Sequence, residues 1–108
     1  MTDKIVVLMT GKDTKECERI ARHLLAKHLI ACANLVPRVR SLYLWEGKIA
    51  DEEECWMILK STRELFPALQ IEVKKEHSYA VPELIALPII DGSRDYLNWM
   101  SELLASQG

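Results

Sequence analysis

Three histidines, three cysteines and one run of four acids carry most of the ligand chemistry in this 108-residue chain. His77 is placed best for it. It ends a predicted helix and is followed by Ser78-Tyr79-Ala80-Val81-Pro82-Glu83, a turn rich in oxygen and nitrogen donors. Two roles are open to it: a metal ligand, or a partly protonated cap on the helix C-terminus. His23 and His28 lie five residues apart, about 140° around a helix, so they cannot share one ion. His28 falls on an apolar stripe and reads as a hydrogen-bonded boundary residue. Cys17, Cys32 and Cys55 are odd in number and lack CxxC spacing, which argues against a disulfide framework and for a reducing compartment. Their plainest reading is small buried hydrophobes, with thiolate metal ligation as the sharper alternative. The acids Asp51 to Glu54 could attract a hard cation. Adjacent strand residues point to opposite faces, however, so a solvated hairpin tip is the better account. The P-loop, HExxH, GxSxG and GxGxxG patterns are absent, and no nucleophile–base pair can be read from the chain. The expectation is a binding protein, not an enzyme.

The elements that must position these residues follow from periodicity. Residues 4 to 11 form a short β-branched run ending in Gly and read as a buried strand. Asp13 opens a helix, with Glu16 three residues on in capping-box position. Cys17, Ile20, Ala21, Leu24, Leu25 and His28 then mark one helical face. Residues 31 to 45 are rich in strand formers around Pro37, where a bulge or an edge position is expected because proline has no ladder donor. Glu46-Gly47 separates this run from a second one, Lys48 to Lys60, which makes a tight hairpin with arms about 45 Å long. A domain of this size has a radius of gyration of only about 13 Å, so part of the hairpin must project. Ser61 with Glu64 forms a second possible capping box ahead of a stripe through Leu65, Phe66, Leu69, Val73 and His77. Residues 83 to 90 read as a strand, and Tyr96, Leu97, Met100, Leu103 and Leu104 as a closing amphipathic helix. The predicted class is α+β, a ferredoxin-like βαββαβ sandwich with a long projecting hairpin and an extra C-terminal helix.

Composition narrows the function further. A net charge of −2 leaves no broad cationic field, so nucleic acid is not an expected partner. The longest stretch without a charged residue or His is nine residues, Leu29 to Pro37, far short of a membrane span. The apolar run near the N-terminus is too short for a secretory signal. The chain reads as one cytoplasmic domain over residues 1–108, or as the mature part of an exported protein. Its strands do not alternate: Ile5, Val7 and Met9 oppose Val6 and Leu8, and Cys55, Met57 and Leu59 oppose Trp56 and Ile58. A sheet apolar on both faces needs covering on both, and further copies of the chain are the simplest cover. Trp45 and Trp56 are expected to be shielded by such neighbours.

Residues 31 to 49, with Tyr43-Leu44-Trp45-Glu46-Gly47-Lys48 inside them, resemble the long hairpin of the CutA divalent-cation tolerance family. Residues 77 to 89, containing Val81-Pro82-Glu83, and Tyr96-Leu97-Asn98-Trp99 are similar to its other blocks. The resemblance spans essentially the whole chain. It implies a ferredoxin-like subunit, a homotrimer, and a role in tolerance of copper or another divalent cation, with a fold like that of the nitrogen-regulatory PII signal proteins. The family's ligand positions carry over in part. A Cys at the end of the first strand and two His before Pro-Tyr correspond here to Met9, Glu76 and His77, and Ser78 replaces the proline. Cys32 lies in the Ala-Cys block and completes the candidate metal set. Thioether suits Cu(I), while imidazole and carboxylate suit Zn(II) or Cu(II). The alternative is a trimeric signalling or scaffold module whose subunit cleft takes a small ligand or partner, with Glu46, Lys60, Tyr79 and Glu83 as cleft residues.

Overall fold

Strand propensity and helical periodicity resolve into seven elements over residues 2–105, which the computed structural model describes. They are β1 (Lys4–Gly11), α1 (Thr14–Ala26), β2 (Cys32–Trp45), β3 (Lys48–Thr62), α2 (Phe66–Glu76), β4 (Leu84–Pro88) and α3 (Arg94–Ala105). The strands form one sheet in the order β2-β3-β1-β4 with every neighbouring pair antiparallel. This is the ferredoxin-like arrangement with an added C-terminal helix. Its longest dimension is 44 Å and its radius of gyration 14.5 Å, because the β2–β3 hairpin runs beyond the helices.

One face of the sheet makes the core. Ile5, Val7 and Met9 of β1 and Cys55, Met57 and Leu59 of β3 pack against Cys17, Ile20 and Leu24 of α1 and Leu69 and Val73 of α2. Burying each Val, Leu, Ile or Met among them contributes about 1.5–3 kcal/mol. Met100 and Leu104 of α3 join Ala31 in a smaller cluster. The other face has no such cover. Opposed pairs such as Leu8↔Ile58 and Val36↔Trp56 share that face. Val36, Ile85 and Leu87 on it are 41–51% exposed.

The hairpin contains two special sites. At its tip Glu46 (φ 49°) and Gly47 (φ 78°) both take the left-handed conformation, as a type I′ turn requires. On β2, which is an edge strand, Pro37 and Arg38 together face the single residue Cys55, since Val36 pairs with Trp56 and Val39 with Glu54. Arg38 adopts φ 61°. This bulge shifts the phase of β2 by one residue. Beyond it Tyr43 and Trp45, rather than Leu42 and Leu44, share a face with Glu54.

Three local expectations change. Ser61 is no helix cap: it belongs to β3, where its hydroxyl donates to the Leu29 carbonyl at 2.7 Å. The α2 helix begins at Phe66 instead, with Pro67 in its first turn, because a proline needs no N–H there. His28 leaves the apolar stripe because α1 ends at Ala26 and His28 takes φ 56°. Cys17 and Cys55 are buried, but Cys32 is only half-buried. Trp45 is 61% exposed, so a shield for it must come from outside this chain.

Candidate functional site

The imidazole of His77 sits where the end of α2 meets the end of β1. Its Nε2 is 2.7 Å from the Thr10 carbonyl. A carbonyl can only accept, so Nε2 carries the proton. Nδ1 accepts the Tyr79 backbone N–H at 3.0 Å, and the Tyr79 ring stacks obliquely on the imidazole at 4.9 Å. The ring is therefore held as one defined neutral tautomer.

Glu16 supports the same turn, a role that its capping-box position only half revealed. Asp13 Oδ1 accepts the Glu16 N–H at 2.8 Å, as the box requires. The return contact goes elsewhere: Glu16 Oε1 accepts the Lys12 N–H at 3.0 Å and Oε2 the Ser78 N–H at 2.8 Å. Only 4% of Glu16 is exposed. Burial pushes its carboxyl up, yet the hydrogen bonds from Lys12 and Ser78 outweigh this and hold it below the usual carboxylate range.

The other members of the candidate metal set are dispersed. Glu76 is held by Arg19, whose Nη1 lies 2.8 Å from its carboxylate and whose Nη2 donates to its carbonyl at 2.8 Å. Met9 is fully enclosed in the core. Cys32 pairs with Lys60 opposite Val6, four register positions from Thr10, about 13 Å along the strand. Among the described residues no group of three or more His, Cys, Asp or Glu is arranged to hold a metal.

The cleft residues divide. Tyr79 and Glu83 line a cavity of about 370 Å³ together with Thr10, Tyr43, Trp45 and Glu54. Glu46 is at the hairpin tip beside Trp45, and Lys60 hydrogen-bonds Asn34 near Cys32, away from this cavity. The acid run is solvated at Asp51, Glu52 and Glu53, as expected, but not at Glu54. Asp51 and Glu53 pair with Arg40 and Arg38 on one side of the hairpin, whereas Glu52 and Glu54 bond the phenols of Tyr43 and Tyr79. Glu54 is only 7% exposed. The hydrogen bond to Glu52 pushes the Tyr43 phenol up to about 12. Burial first, and then Glu54, pushes Tyr79 up as well. The carboxyl of Glu83 is also raised, by burial and by the charge of Glu54. Sequence reasoning missed Glu54 and Tyr43. The bulge at Pro37 was the available signal, since it sets which β2 residues join the acids.

Comparison with known proteins follows the same chain from end to end. The family model of the CutA1 divalent ion tolerance protein matches residues 5–103. The divalent-cation tolerance protein CutA of Thermus thermophilus is 41% identical over 97 residues, which are 90% of this chain and 94% of that protein. Its Escherichia coli counterpart is 44% identical over 103 residues, covering 95% and 92%. Among solved structures, the periplasmic divalent cation tolerance protein CutA from Archaeoglobus fulgidus superposes with a TM-score of 0.91 at 40% identity, over 94% of this chain and 98% of that one. CutA1 from Oryza sativa gives 0.90 at 40% identity, over 93% and 92%. This chain therefore belongs to the CutA1 divalent ion tolerance protein family.

Proposed function

We propose that this chain is a single-domain, homotrimeric cytoplasmic protein that binds copper or another divalent cation through His77, and that it is not an enzyme. One observation carries the metal reading. The Nε2–H of His77 is fixed on the Thr10 carbonyl at 2.7 Å, which is how metal-bound imidazoles are usually oriented, and it leaves the Nδ1 lone pair as the ligand atom. The Tyr79 N–H now on Nδ1 must yield to the ion. Glu76 can follow only by leaving Arg19, and Met9 and Cys32 do not reach the ring from their places in this chain. Donors from a second copy would complete the coordination. The exposed apolar face bearing Val36, Ile85 and Leu87 supports assembly, because such surface is costly in water. A cytoplasmic setting agrees with three free thiols.

Calorimetric titration with Cu(II), paired with sedimentation, tests this reading. Wild type should sediment as three chains and bind copper. Affinity should fall with pH, because imidazole and carboxylate ligands must be deprotonated. His77→Ala should weaken binding by roughly tenfold or more while the trimer persists. A stable 12.4 kDa monomer at micromolar concentration, or unchanged affinity in His77→Ala, would refute the corresponding part.

A further inference from the structure

The cavity between the hairpin and the 79–83 turn contains a buried carboxylate with no cation beside it. Glu54 is 7% exposed, and its Oε2 accepts the Tyr79 hydroxyl at 2.6 Å. Among the described residues no Lys, Arg or His pairs with it, although its neighbours Asp51 and Glu53 each have an arginine. Among the described residues its Oε1 has no hydrogen-bond partner. Glu83 adds a second carboxyl to the lining, and Tyr43 and Trp45 supply aromatic walls. The raised carboxyl of Glu83, caused by burial and by Glu54, agrees with a site short of positive charge.

Cation class follows from the walls. A hard metal ion calls for about six or more oxygen ligands, and no metal-holding cluster of three donors exists among the described residues. Aromatic faces and a carboxylate together favour a cation that carries carbon, because the rings attract the charge and cover the chain. A volume of about 370 Å³ is at the small end for a ligand cavity. We propose that this cleft binds an organic ammonium group, its nitrogen on Glu54 and its carbon chain against Tyr43 and Trp45. The cavity shares Thr10 and Tyr79 with the surroundings of His77, but the proposal uses Glu54 and does not depend on the copper reading. The same chemistry has two sources: a free amine, or a lysine of another copy, for which Lys48 at the hairpin tip is the candidate.

The experiment is calorimetry of the intact protein with 1,4-diaminobutane at low ionic strength, with 1,4-butanediol as the uncharged control. Wild type and Lys48→Met should bind the diamine and ignore the diol. Glu54→Gln should weaken binding roughly tenfold or more, through loss of the charged hydrogen bond. Trp45→Ala, at a position 61% exposed within the chain, should weaken it about threefold through the lost ring, in a variant that sediments as wild type does. Binding seen only in Lys48→Met would establish the ammonium as a lysine of another copy. Absence of binding in both wild type and Lys48→Met overturns the proposal. So does undiminished affinity in a folded Glu54→Gln together with Trp45→Ala.

Discussion

The carboxylate of Glu16, in the first turn of α1, accepts the backbone N–H of Ser78 at 2.8 Å. It thereby ties the loop after β1 to the turn after α2, and His77 lies between them on Thr10. Replacing Glu16 by Ala orphans the N–H groups of Lys12 and Ser78, and urea unfolding should show a loss of about 2–3 kcal/mol. The folded carboxyl lies below its ordinary 4.5. Its stabilising contribution is therefore complete above that value and is lost as pH falls through the depressed folded one. Glu16→Gln should flatten this acid limb of the stability profile.

Gly11 faces Cys17 across the β1–α1 junction so closely that an added Cβ would lie 2.6 Å from Sγ. The site is buried, so Gly11→Ala should cost about 1–3 kcal/mol by overpacking. Cys17→Ala in the same chain removes the clashing atom. A double-mutant cycle should then show favourable coupling of more than about 0.5 kcal/mol, and additive losses would count against steric contact as the cause.

At the hairpin tip a Cβ on Gly47 would meet nothing within 4 Å. The cost of Gly47→Val is therefore backbone strain alone, about 1–2 kcal/mol at φ 78°. Glu46→Asn should act the other way, by about 0.5–1 kcal/mol, since asparagine tolerates the left-handed region that Glu46 occupies. Thermal unfolding of both variants checks the pair.

Deleting Arg38 should remove the bulge and leave every other β2–β3 pair in place: Pro37 would face Cys55 alone, Val39 would still pair with Glu54, and Tyr43 and Trp45 would stay on the Glu54 face. The Tyr43–Glu52 contact and the wavelength of the Trp45 emission should therefore be kept. A displaced Trp45 emission would mean that the far arm had slipped out of this register.

Local signals in the chain were enough for the element order and for the hairpin turn. Alternation failed visibly in Ile5 to Met9, and the structure shows why: Val7 and Met9 face the helices while Val6 and Leu8 line the half-exposed side. The Asp13–Glu16 spacing announced the start of α1 because an N-cap bond spans three residues. The Ser61–Glu64 spacing announced a helix that begins later, at Phe66. There the strand ladder runs on through Thr62 opposite Lys4, and Ser61 meets a stronger demand from the buried Leu29 carbonyl.

Residue types and short spacings determined the candidates: His77 after a helix, an acid run beside a tight turn, and a proline in a strand. Each is a local property that three or four residues can encode. Tertiary structure decided what those candidates do. It enclosed Met9, gave Glu76 to Arg19, set Cys32 on another part of the sheet, and brought Glu54 to Tyr79. Such partners are 25 to 57 residues apart, and a contact at that range depends on strand order and on the phase of a bulge, which no local pattern contains.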